Sequence, residues 1–134
     1  MKQSAAGKVG AQSFRDLIVW QRGIELATAI YRLTHDFPRE EAFGLTAQLR
    51  RSAVSVPSNI AEGQGRLSTG EFRQFLGIAR GSNCELQTQL EIARVLGFGD
   101  QKRLDEAGSL SNEVSKMIRA ILEKTNHSPA RLKR

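Results

Sequence analysis

The sequence predicts an all-α protein, an antiparallel up-down bundle of four helices. Three observations predict it. Apolar residues recur at alternating steps of three and four in four separate stretches, Pro or Gly signals separate those stretches, and no alternating Val/Ile/Thr-rich run reads as a strand. The chain has 134 residues, 40% apolar and 25% charged, which is the size of one domain with enough apolar material to build a core. The predicted helices run over roughly 14–35, 40–63, 69–97 and 100–125. They form a single bundle domain at 14–125, between flexible basic tails expected at 1–13 and 126–134.

In the first helix Leu17, Trp20, Ile24, Ala27 and Tyr31 make one stripe. It stops at Phe37-Pro38, because a residue before proline is pushed out of the helical region. The second opens near Glu40 or Glu41, whose carboxylates suit the positive end of a helix dipole. It carries Leu45, Leu49, Ala53, Val56 and Ile60 and ends at Gly63 to Gly65. Ser68, three residues before Glu71, starts the third as a capping box. Its stripe is Phe72, Leu76, Ala79, Asn83, Leu86, Leu90 and Ala93, and Gly97 and Gly99 break it. Asp100 caps the fourth, with Leu104, Ala107, Val114, Ile118 and Ile121 on one face and Leu110, Met117 and Leu122 widening it. Short connections between amphipathic helices favour antiparallel neighbours.

Twenty Lys and Arg stand against fourteen Asp and Glu, a formal charge of +6, so acidic partners such as RNA, DNA or an anionic membrane face come into view. The charge is unevenly placed. Lys2, Lys8, Arg131, Lys133 and Arg134 sit in end segments without an acid, leaving 15 bases and 14 acids in the body. The pI near 10.1 is therefore mostly a property of the two ends. One cysteine, Cys84, allows no intrachain disulfide and suits a reducing cytoplasm. With no apolar run of signal-peptide or membrane-spanning length, the expectation is a cytoplasmic protein with no membrane partner.

The sequence offers little to catalysis. His35 and His127 are the only histidines, and neither lies in a metal-binding pattern. His35 reads as a side chain near the end of the first helix, and Cys84 as a small core residue. Gly63-Gln64-Gly65-Arg66 reads as a helix stop more readily than as a phosphate cradle, because it matches no phosphate-loop motif and follows no strand. The expectation is a protein that is not an enzyme, with no catalytic residue, cofactor or metal. More unusual is Pro57 within a helical stretch also holding Ser52, Ser55, Ser58 and Asn59, since an interior proline costs roughly 3 kcal/mol. Either the serines and Asn59 satisfy the freed backbone groups and let a neighbouring helix or subunit come close, or a kink presents Arg50 and Arg51 to an anion.

The run from Gly44 to Gly63, with Arg50-Arg51-Ser52-Ala53 and Pro57-Ser58-Asn59-Ile60-Ala61-Glu62-Gly63 at its centre, carries a resemblance together with several other segments. These are Gly65-Arg66, Glu71-Phe72, Ala79-Arg80-Gly81-Ser82, Glu85 to Leu90, Phe14 to Gln21 and Tyr31 to Pro38. Together they resemble the four-helix bundle proteins encoded by intervening sequences of 23S ribosomal RNA genes, over about Phe14 to Leu122. The family more usually has Ala-Gly-Ser where this chain has Ala79-Arg80-Gly81-Ser82. The resemblance implies a homopentamer and a relation to the accessory protein of diversity-generating retroelements, which binds nucleic acid and a reverse transcriptase. It brings no catalytic residues.

The resulting expectation is a non-enzymatic oligomer that binds nucleic acid, structured RNA first, with Arg50, Arg51 and Arg66 as contacts and the tails as auxiliaries. The competing reading is a protein-binding scaffold, for example a reverse transcriptase accessory subunit. Arg50 or Arg51 can instead pair with Glu62, Glu85 or Glu91 inside the bundle or between subunits, which would make them structural.

Overall fold

The structure, a computed structural model, describes residues 13–126, so the basic tails apart from Ser13 and Asn126 lie outside the described residues, His127 included. Four α-helices follow in order: α1 Ile18–Thr34, α2 Leu45–Gln64, α3 Thr69–Leu96 and α4 Gln101–Lys124. Single 3-10 turns at Phe14–Asp16 and Arg39–Glu41 precede the first two.

Two helix starts differ from the sequence expectation. The Phe14 turn is separated from α1 by Leu17 in extended conformation. Likewise Glu40 and Glu41 belong to a short turn, and α2 begins only after Gly44. Glu41 still serves the start of α2, because its Oε1 accepts a hydrogen bond from the Leu45 N–H at 2.9 Å and caps the helix from one turn away. The other signals act where the sequence places them. Ser68 Oγ accepts from Glu71 N, and Asp100 Oδ2 accepts from Arg103 N. At the end of α3, Gly97 takes φ +77 while Phe98 N–H donates back to Ala93 O, the backward bond of a left-handed helix cap.

Each helix packs on its neighbours in the chain, and α1 closes the ring on α4. All four contacts run antiparallel. Arg50 reaches Thr34 while Pro57 lies beside Gly23. Ser55 meets Ser82 while Gly63 lies against Phe72 and Phe75. Arg73 reaches Leu122 and Arg94 reaches Asp105. Between α1 and α4, Arg22 bonds Glu113, and Arg32 shares a cavity with Lys102 and Arg103.

The core contains Leu26, Ile30, Leu33, Leu49, Ile60, Leu76, Leu86 and Ile118, all fully buried, each stabilising the fold by roughly 1.5–3 kcal/mol. The stripes of α2, α3 and α4 point inward as expected, with Phe72 and Ile121 partly buried at the margin. The α1 stripe does not. Val19, Gly23, Leu26, Ile30 and Leu33 face the core, whereas Ile24 and Tyr31 are exposed and Leu17, Trp20 and Ala27 only flank it. Two overlapping apolar rows run along α1, and the buried one looks interrupted because Gly23 carries no side chain. That glycine is the point of closest approach: a Cβ built there would lie 3.2 Å from Pro57 Cβ.

Pro57 sits inside an unbroken α2, so the close neighbour is α1 of the same chain. Its missing N–H leaves Ala53 C=O without its usual donor. Asn59 Nδ2 does not serve that carbonyl; it donates to Ser55 O and Ser55 Oγ, both at 2.9 Å.

Candidate nucleic-acid interface

Helical geometry separates Arg50 and Arg51 by about 100° around α2, and the packing gives them different surroundings. Arg50 is half-buried against α1. Its Nε donates to Thr34 Oγ1 at 2.8 Å, Nη2 reaches Tyr31 O at 3.5 Å, and the guanidinium lies 4.4 Å from the Tyr31 ring centroid. Thr34 is oriented in turn by donating to Ile30 O. Arg51 is exposed on the opposite side. It makes no hydrogen bond or ion pair among the described residues and lines a groove of about 170 Å³ with Gln48, Ser52, Ser82, Glu85 and Gln89. Gln89 Oε1 is buried there without a donor among the described residues.

Arg66 lies past the other end of α2, about 20 Å further along the helix axis by the rise per residue. Nη2 binds Glu62 at 2.7 Å, and the guanidinium covers the Phe75 ring at 4.7 Å. The structure therefore does not gather the three arginines into one patch. The glycine loop beside Arg66 has its amides engaged: Gly65 N–H bonds Ala61 O and Glu62 O, and Arg66 N–H bonds Gly63 O. That arrangement is a helix end and offers no anion cradle.

Other charges are distributed in a way that spacing did not reveal. Arg22 holds Glu25 and Glu113, and Arg94 holds Glu91 and Asp105. With Arg66 on Glu62, three arginines engage five carboxylates, so twelve other bases face nine other acids among the described residues. The hydrogen bond that Arg22 donates to Glu113, with the nearby carboxylate charges, raises the Arg22 pKa above its ordinary value. His35 caps the end of α1 through its backbone and is exposed. Cys84 is also exposed, contrary to the core reading. The inward line of α3 passes through Asn83 and Leu86 and leaves the intervening position outside.

The sequence placed Asn83 on the apolar stripe but did not reveal its partners. Fully buried, it donates through Nδ2 to Ser111 O at 2.9 Å and Ser115 Oγ at 2.8 Å, and it accepts from Ser111 Oγ at 2.8 Å. Gln87 extends the network to Ser111 Oγ and Asn112 Oδ1.

Among the described residues, no three of the side chains His, Cys, Asp and Glu converge as a metal site, and no helix is long and apolar enough to cross a membrane. The fold and its surface define an all-helical four-helix bundle with charged outer faces. Residues 15–120 match the 23S rRNA-intervening sequence protein family, and the chain belongs to that family. A solved structure from Bacteroides thetaiotaomicron, described as a protein of unknown function from the S23 ribosomal protein family, is similar with a TM-score of 0.70 and 23% identity. The similarity covers 78% of this chain and 97% of that one, and it supports the fold alone. No curated protein matches the chain.

The two adjacent arginines should respond differently to truncation. Arg50→Ala is expected to destabilise the fold by about 1 kcal/mol, because Thr34 loses a donor and Tyr31 its cation. Arg51→Ala is expected to stay within about 0.5 kcal/mol of the parent, as at an exposed position without partners. Urea denaturation of both variants checks this, and equal losses would contradict the packing role of Arg50.

Proposed function

We propose that this protein is a non-enzymatic, oligomeric helical bundle of the cytoplasm that binds nucleic acid, structured RNA first, through cationic helix faces. The observation that carries the reading is charge segregation. Five carboxylates gather on three arginines, while exposed bases such as Arg51 make no ion pair among the described residues. A body of near-neutral net charge thereby presents local positive surface to phosphates. Of the sequence candidates, Arg51 is the one available to a ligand without first breaking an internal contact. Arg66 would exchange Glu62 for phosphate, and Arg50 would leave Tyr31.

A second observation favours a protein partner as well, whether copies of this chain or another protein such as a polymerase. Ile92, Val95 and Leu96 are exposed together at the end of α3 and line one shallow depression with Glu91, the kind of apolar patch that association covers. A ring of copies would repeat the cationic face and raise avidity by about 10²-fold or more.

Light scattering combined with binding of a hairpin RNA tests the reading. The expected mass is a multiple of 14.8 kDa. The expected affinity falls linearly on logarithmic axes between about 50 and 200 mM salt, as counterion release requires. A mass near 14.8 kDa at all concentrations overturns the oligomer. Absence of binding at the lower salt, or binding indifferent to salt, overturns the nucleic-acid reading.

A further inference from the structure

We infer that the outer face shared by α3 and α4 is a contact strip for the phosphodiester backbone, with Arg80, Lys116 and Arg119 as its phosphate ligands. The inference rests on the nucleic-acid reading above and names a site for it away from the three arginines that sequence spacing selects.

The α3–α4 register locates the strip. Arg73, Arg80, Gln87 and Arg94 follow one another at seven-residue steps, so they lie in one line along α3. Three of the four touch α4: Arg73 reaches Leu122 O, Thr125 and Asn126, Gln87 reaches Ser111 and Asn112, and Arg94 reaches Asp105. Along α4 and just past its end, Asp105, Asn112, Arg119 and Asn126 form the matching line, and three of those four are touched from α3. Arg80 falls between Arg73 and Gln87, and Arg119 falls between Asn112 and Asn126. In an antiparallel pair the two cations therefore stand at the same height across the seam. Lys116, one turn from both Asn112 and Arg119, adds a third charge on the same face.

All three are exposed, and none makes a hydrogen bond or ion pair among the described residues. Of the acids bordering this face, Glu91 and Asp105 are held by Arg94 and Glu113 by Arg22, while Glu123 lies one turn beyond Arg119 on the side away from Lys116. Four other unpaired cations differ in this respect. Arg32, Lys102 and Arg103 share their cavity with Asp36, Asp100 and Glu106, and Arg51 shares its groove with Glu85. The α3–α4 seam is thus where bases face one another without an acid between them, and a polyanion is the partner whose charge complements it. Such contacts hold the backbone and carry little sequence information.

The test compares wild type, R80E/K116E/R119E and R51E by fluorescence anisotropy with a labelled hairpin RNA across about 50 to 200 mM salt. Circular dichroism and light scattering check helix content and mass. The triple variant is expected to lose about tenfold or more in affinity, with the log–log salt slope shallower by about 2 to 3, as three lost phosphate contacts require. If the reversed charges reduce helix content or mass, R80Q/K116Q/R119Q replaces the triple, and the same shallower slope is expected. Wild-type affinity and slope in the triple, with the loss confined to R51E, would overturn the strip and leave the nucleic-acid reading standing. Equal binding of polyglutamate and RNA by wild type, both lost in the triple, would overturn the phosphodiester assignment in favour of an acidic protein surface. No RNA binding by wild type overturns both proposals.

Discussion

Replacing Asn83 by alanine is expected to destabilise the bundle by about 3 kcal/mol, the loss of three buried hydrogen bonds at roughly 1 kcal/mol each. For a chain of this size that lowers the melting temperature by roughly 10 °C. The Asn83 amide is fully buried and is the donor or acceptor in three bonds to Ser111 and Ser115. Truncation leaves the Ser111 hydroxyl without its acceptor and opens space between α3 and α4. The effect arises mostly from orphaned groups, so removing the partners together should largely restore stability. Asn83→Leu combined with Ser111→Ala and Ser115→Ala is expected within about 1 kcal/mol of wild type, because replacing both sides of a buried polar contact by apolar groups can be near neutral. Thermal and urea unfolding of the two variants check the pair. A single variant as stable as wild type, or a triple variant less stable than the single, would contradict the assigned role of the network.

Gly99→Ala is expected to cost about 3 kcal/mol, from two separate causes. Gly99 has φ +82, where a side chain costs about 1–2 kcal/mol. A Cβ there would also lie 2.7 Å from Leu33 Cδ1 and 2.9 Å from Phe37 Cε1, and overpacking of this kind costs about 1–3 kcal/mol. Neither neighbour moves aside easily, because Leu33 is fully buried and Phe37 packs on Phe98 with ring centroids 5.7 Å apart. Gly97 separates the two causes. Its φ is +77, but a Cβ there meets nothing within 4 Å, so Gly97→Ala is expected to cost only about 1 kcal/mol. Chemical denaturation of both variants measures the difference, and equal losses would show that packing against Leu33 and Phe37 contributes nothing.

The candidate site was legible only in part. Adjacency in sequence suggested a shared role for Arg50 and Arg51, yet neighbours on a helix point about 100° apart. Arg50 is thereby turned onto Tyr31 and Arg51 onto the α3 groove. Glu62 was read as an alternative partner for Arg50 or Arg51, but it binds Arg66, one helical turn away, and neither Arg50 nor Arg51 pairs with an acid among the described residues. Arg80 and Arg119 drew no attention as a pair because 39 positions separate them in the chain. Their facing positions follow from the α3–α4 register, which the Asn83 and Gln87 bonds make visible.

What the sequence determined by itself is local: four helices in order, the Ser68, Asp100 and Gly97 end signals, and the inward faces of α2, α3 and α4. These depend on contacts within one or two turns, where backbone sterics, capping groups and apolar spacing act without reference to the rest of the chain. The tertiary structure alone decided which of two apolar rows on α1 is buried, because the choice depends on Gly23 admitting Pro57 from another helix. It also decided which charges are neutralised. Arg22 finds Glu113 91 positions away and Arg94 finds Asp105 on the next helix, and an ion pair between helices is a property of distance in space, which spacing along the chain does not encode.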